Sequence, residues 1–270
     1  MLPPEFAAAK QTLLGQGLTN RAYCLDLGYK RYFYREGITE PEQLYIDRQQ
    51  ERKVLAIAEA AGLIPEICYH SSDGQELVMA WCHEPAWSPV RFSSEQGIRQ
   101  LAELTAGIHA LQVSLNELNL ADYLQRFMDD LPALPTEIRT RISSLQASLH
   151  QQPPFSPVLC HNDINPANLI GDKPYLIDWE YAAMGDPAFE LAGICRAGLY
   201  NERQLLQLVD TYQQAGGECT VDRVRAMLPV ADMIGLLWCE KIMQMKSDQR
   251  HDVLHQRLYL SVMESHNVES

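Results

Sequence analysis

The sequence predicts an α+β fold in two parts: a small β-rich N-terminal lobe over residues 1–82 and a larger helical C-terminal lobe over 83–270. Three observations predict it. Short runs rich in aromatic and branched residues, separated by turn residues, crowd the first 82 positions. Apolar residues recur at helical spacing through most of the remainder. Hydrophobic residues make up 46% of the 270-residue chain and charged residues 21%, enough apolar material for a core and too little charge for a disordered chain.

The elements follow in order. Residues 22–27 (AYCLDL) and 31–35 (RYFYR) flank Gly28 and read as a β-hairpin. Pro41 opens a helical stretch to about Ala61, stopped by Gly62 and Pro65. Residues 66–70 and 76–82 read as two more strands parted by a Ser-Ser-Asp-Gly turn. From Pro85 the pattern turns helical, with Leu101, Leu104, Ile108 and Leu111 as one stripe, and the lobe boundary falls near 82–90. A Pro-rich break at 153–157 precedes a second hairpin, 168–170 and 175–178, around Gly171-Asp172. Asp186 and Pro187 fit the N-cap and first position of a helix, and 203–214, 221–245 and 249–263 are helical again.

Charge and cysteine usage narrow the function. Thirty-five acidic residues against 22 basic ones leave a net charge of −13, which repels nucleic acid and suits a cationic small molecule. Seven cysteines (24, 68, 82, 160, 195, 219 and 239) form no C-x-x-C pair, as expected of a reduced, cytoplasmic protein. The opening MLPPEFAAAK has no charged segment followed by an apolar one, and the apolar run Met233–Cys239 is too short to span a bilayer. No membrane partner is expected.

The densest polar cluster is His161-Asn-Asp163-Ile-Asn-Pro-Ala-Asn168, followed by Asp178-Trp-Glu180. Apolar residues flank it on both sides, so short buried strands would deliver these groups to their ends. Two carboxylates and an amide oxygen are hard ligands in small number, which suits Mg²⁺ with room for water and phosphate oxygens. His161 has no second His or Cys at zinc-ligand spacing. The spacing H-x-D-x-x-x-x-N with a later Asp matches a phosphoryl-transfer template.

HNDINPANLI and YLIDWEYAAMGDPAFELA resemble the aminoglycoside phosphotransferase and choline kinase superfamily. The HND opening and the Asp-Trp-Glu-Tyr string are most similar to its bacterial choline and thiamine kinases. Protein kinases share the frame, but here Asp-Trp-Glu replaces Asp-Phe-Gly, no Ala-Pro-Glu follows, and the strand reads Tyr-Phe-Tyr-Arg. The resemblance implies a two-lobed protein-kinase-like fold, with ATP and Mg²⁺ as cofactors and a small cationic alcohol of thiamine or choline type as acceptor. Its rivals are an aminoglycoside kinase and a non-catalytic nucleotide-binding regulator.

Residue by residue, the resemblance makes Asp163 the catalytic base, Asn168 and Asp178 the Mg²⁺ ligands, and Glu180 a contact for a second Mg²⁺ or for the substrate. His161 is read as bracing the loop. Gly15 and Gly17 would cover the phosphates, with Asn20 or Thr19 where a third glycine is absent. Arg35 is the phosphate cation, with Lys30 and Arg31 as competitors. Glu51 falls on the apolar face of its helix and pairs with Arg35, the alternative being an exposed partner of Arg48 or Lys53. Trp81 and Cys82 are expected beside the adenine, or else simply packed. Tyr181 and Trp238 offer faces for a cation. A lone Trp238, where choline kinases show a closely spaced pair, leaves room for thiamine.

Overall fold

In the computed structural model, which describes residues 2–17, 19–37, 40–246 and 252–264, the chain opens with strands β1 (Lys10–Gln16), β2 (Asn20–Asp26) and β3 (Arg31–Gly37). Helix α1 (Arg48–Ala60) and strands β4 (Ile67–His70) and β5 (Glu76–Ala80) follow. Then come α2 (Pro89–Phe92), α3 (Glu95–His109), α4 (Leu120–Asp130) and α5 (Thr136–Gln151). Short strands β6 (Val158–Cys160), β7 (Leu169–Ile170), β8 (Tyr175–Leu176) and β9 (Ala183–Gly185) carry the polar cluster. The chain continues through α6 (Pro187–Ala197), α7 (Glu202–Gln214), α8 (Val221–Lys246) and α9 (Asp252–Glu264).

The chain divides into two compact units. One joins the residues up to Phe92 with His161–Ala182; the other joins Ser93–Cys160 with the chain from Ala183 onward. This differs from a cut at residue 82, because the 161–182 segment is bonded into the first unit. Trp87 N–H donates to Leu169 O (2.8 Å) and Leu176 N–H to Leu63 O (2.9 Å).

In the first unit the five strands form an antiparallel sheet in the order β1-β2-β3-β5-β4. Tyr34 faces Tyr23 on β2 and Val78 on β5, and with Phe6 and Leu25 they form the core on one face. Alternation sends Phe33 and Arg35 to the other face. The β2–β3 hairpin, both later strands and the hairpin around Gly171 stand where the sequence puts them.

Two elements differ. Strand β1 stands where the sequence predicts only a glycine-containing loop; all seven of its residues are exposed, so it has no alternating burial for a pattern to reveal. The helix expected from Pro41 is split. A short 3₁₀ turn, Pro41–Leu44, ends at Tyr45 with φ of 60°, and α1 restarts under Asp47, whose carboxylate accepts from the N–H groups of Gln49 and Gln50.

The second unit is helical, with α6 packed on α8 and α3 on α7, and with β6 and β9 paired antiparallel. Its core includes Leu101, Ile108, Leu124, Phe127, Leu208 and Leu237. Asp186 caps α6 as expected, accepting from Ala188 N–H (2.8 Å). Of the helix expected over 249–263, residues 249–251 lie outside the described residues. No helix among the described residues is long and apolar enough to cross a membrane.

Candidate active site

The inner face of the first unit's sheet holds a cavity of about 400 Å³. Register explains its lining. Arg35 lies opposite Ala22 and Leu77, and Phe33 opposite Met79, so all five line the same space. Leu55 of α1, Ile64, Ile177 and Trp179 add apolar wall; Gly15, Gly17, Thr19, Asn20, Glu51 and Asp178 add the polar part. A mostly apolar wall with convergent polar groups is the usual makeup of a small-molecule site. Lys30 precedes β3, and Arg31 at its start donates to Asp26 (3.0 Å), which leaves Arg35 as the strand cation that lines the cavity.

Behind the cavity lies a chain of buried charges. Arg35 meets both oxygens of Glu51, Nη1 to Oε1 and Nη2 to Oε2 (3.1 Å), and also donates to Gly74 O (3.3 Å). Arg48 Nη1 donates to Glu51 Oε2 (2.7 Å) and Glu180 Oε2 (3.1 Å), and its Nη2 to Asn20 Oδ1 (2.8 Å). Glu180 accepts further from Thr19 Oγ1 (3.0 Å) and Asn20 Nδ2 (3.0 Å). Both Glu180 oxygens are thus engaged by the glycine-containing segment and Arg48, a different partnership from the metal or substrate contact expected. Glu51 pairs with Arg35 and Arg48 together, and all three are buried.

The Asp163 loop is fixed by its own side chains. Asn165 Nδ2 donates to Asp163 Oδ1 and Asn168 Nδ2 to Asp163 Oδ2, each at 2.9 Å. With its nitrogen so committed, Asn168 keeps Oδ1 without a protein donor among the described residues. His161 Nδ1 accepts from Asp163 N–H (3.2 Å), so its Nε2–H donates to Ile177 O (3.0 Å), tying the loop to the strand that leads into Asp178. The fully buried Trp179 seats that turn by donating from Nε1 to Leu176 O (2.6 Å) and by edge contact with the His161 ring. Asn162 and Asp178 hold left-handed backbone, φ 65° and 69°, a cost that clusters at functional sites.

Electrostatics set Asp178 apart. Burial, then the charge of Glu180, hold its carboxyl well above the usual range, with Asp163 adding to them and Arg35 opposing. No protein donor among the described residues reaches it. Burial alone would raise Glu51, but Arg35 and Arg48 outweigh it and the carboxyl is lowered. For Arg35 the same balance runs the other way: burial would lower it, and Glu51 more than offsets that.

The model of the APH phosphotransferase enzyme family matches residues 10–228. The chain belongs to that family. A LicA homolog from Mycoplasma capricolum subsp. capricolum is 29% identical over 149 residues, 53% of this chain and 60% of that protein. The match therefore spans less than two thirds of this curated relative's length. Among solved structures, choline kinase LicA from Streptococcus pneumoniae is 20% identical, covers 94% of this chain and 93% of its own, and has a TM-score of 0.81. A structure of LicA in complex with AMP reaches 0.82 at 20% identity, over 97% of this chain and 94% of that one. The family's kinase-like fold is thus this chain's fold.

Of the residues singled out from sequence, Gly15, Gly17, Asn20, Arg35, Glu51 and Asp178 share the cavity. Trp81 and Cys82 follow the end of β5, half-buried, and are not among its lining residues. Tyr181 is half-buried, its carbonyl accepting from Asn162 Nδ2 (2.9 Å). Trp238 belongs to the second unit, where its ring packs edge-on to Phe127 at 5.7 Å. Arg48, expected at most as an exposed partner of Glu51, is buried. The signal that could have found it buried is its place three residues before Glu51, on the same helix face.

Proposed function

We propose that this phosphotransferase moves the γ-phosphoryl group of ATP to the hydroxyl of a small cationic alcohol, with choline ahead of thiamine. One observation carries the reading: a single compact unit joins an amide-held Asp163, an Asn168 oxygen and Asp178 carboxylate left for an outside cation, and a cavity lined by Arg35. Likeness to structures named as choline or choline/ethanolamine kinases supports choline, and the net charge of −13 suits a cation.

The residues fit the cofactors. Among the described residues, apart from its chain neighbours, nothing lies within 4 Å of a Cβ added at Gly15, so the space this glycine leaves suits a ligand's close approach. Among the described residues the buried Arg35 Nε–H has no partner, which leaves a donor for a phosphate oxygen. Asn168 Oδ1 and Asp178 would hold Mg²⁺, matching the shortage of positive charge at Asp178. Bound there, Mg²⁺ neutralises charge on the nucleotide, which supplies the phosphoryl group. Asp163 orients the acceptor hydroxyl and takes its proton, while the Asn165 and Asn168 amides aim its oxygens. His161 keeps the loop in register with Asp178. Catalysis is then positioning plus charge neutralisation.

The test is coupled ADP release with Mg-ATP against choline, ethanolamine, thiamine and several aminoglycosides. Turnover with choline, lost on chelating Mg²⁺, supports the reading. Turnover only with an aminoglycoside moves the acceptor to the antibiotic class. Mg-ATP binding with no turnover on any acceptor points to the regulator instead.

A further inference from the structure

Arg48 stands where a helix least favours a cation. It is the first residue of α1, at the positive pole of the helix dipole, and its side chain is 5% exposed. A buried guanidinium persists only with carboxylates around it. Arg48 draws one from its own helix, Glu51, and one from 132 residues away, Glu180, and adds Asn20 Oδ1 between them. The β4–β5 turn accommodates it as well. Gly74 has φ of 76°, a Cβ there would come 2.8 Å from Arg48 Cβ, and the Gly74 carbonyl accepts from Arg35. Four separate stretches of chain therefore converge on one side chain that the chemistry of the Asp163 loop does not use.

We propose that Arg48 is a positioning residue for phosphoryl transfer. By holding Glu180 it sets the turn that carries Asp178 against the Thr19–Asn20 corner of the glycine-containing segment. By sharing Glu51 it fixes Arg35 at the cavity wall. The inference rests on the phosphotransferase reading above. Only a planar fork spans these three partners; a lysine keeps the charge and loses the span.

The experiment compares wild type, Arg48→Lys and Arg48→Met in two assays: steady-state turnover with the most active acceptor of the panel, and calorimetric titration with Mg-ATP. Arg48→Met is expected to lower kcat about 100-fold and raise the nucleotide KM and Kd about tenfold, with the acceptor KM unchanged. Arg48→Lys is expected to recover less than about a tenth of the lost kcat. Combining Arg48→Met with Glu180→Gln should cost little more than either change alone, because both cut one connection. A merely structural arginine would behave otherwise. Its loss would scale with the unfolded fraction seen by circular dichroism, leave KM and Kd untouched, and be rescued by lysine. That pattern, or additive effects of the two substitutions, overturns the inference while leaving the phosphotransferase reading intact. If wild type neither turns over nor binds Mg-ATP, the reading itself fails and the inference falls with it.

Discussion

Each compact unit buries a polar knot, and the two differ in how their charges close. In the second unit His109 sits between Tyr212 and Glu190, its Nδ1 2.8 Å from the tyrosine hydroxyl and its Nε2 3.2 Å from the carboxylate. Cys160 lies 3.9 Å from the same Nε2, its thiol pushed well up by burial and then by Glu190, so it stays protonated. Each ring nitrogen has a hydrogen-bonding counterpart. In the first unit Arg35 and Arg48 face Glu51, Glu180 and Asp178, with Asp163 close enough to be felt, so two positive charges meet four negative ones. Its surplus lies at Asp178, on the wall of a cavity. Burial of polar groups marks both regions alike; among the described residues, unmatched charge on a cavity wall marks the first as a place for a ligand.

Substitutions can break this contrast by degrees. The largest effect is expected from Asp163→Asn, which removes the base but keeps the shape: kcat falls by about a thousandfold or more while the calorimetric affinity for Mg-ATP survives. Near-normal turnover would show that another group takes the proton. Next, Glu51→Ala leaves two buried guanidiniums facing each other and should cost about 3–5 kcal/mol in urea unfolding, with weaker nucleotide binding. His109→Ala cuts the other knot. It should cost about 2–3 kcal/mol by the same measurement, yet leave turnover per folded molecule near wild type. A large kcat loss there would erase the distinction between the two regions.

The smallest effect is one of pH. Glu51 is lowered in the folded protein, so its contribution to stability is full above its unfolded value, about 4.3, and is lost as pH falls through the folded value. Glu51→Gln should flatten the acid side of the thermal midpoint profile. An unchanged acid slope would mean that other carboxylates set it.

Legibility from sequence followed distance along the chain. The loop from His161 to Asn168 is read directly, because its bonds join residues two to five apart and their spacing is the chemistry. The β2–β3 hairpin and the Asp186 cap are local in the same sense. Arg35 needed the register of three strands before Arg31 and Lys30 could be set aside. The partners of Glu180 lie 132 to 161 residues away, and no local pattern announces them. Strand β1 escaped for another reason: an edge strand exposed on both faces lacks the alternation that betrays a strand.

That strand has a kinetic consequence. Its ladder to β2 holds one irregularity, between Leu13 and Gly15, and none of its side chains is buried in the core. Peeling it away breaks the backbone hydrogen bonds to β2 and draws no residue of its own out of the core, so amides over Lys10–Gln16 should exchange with solvent deuterium long before those of β3. Gly15 and Gln16, which line the cavity, ride on this loosely held edge.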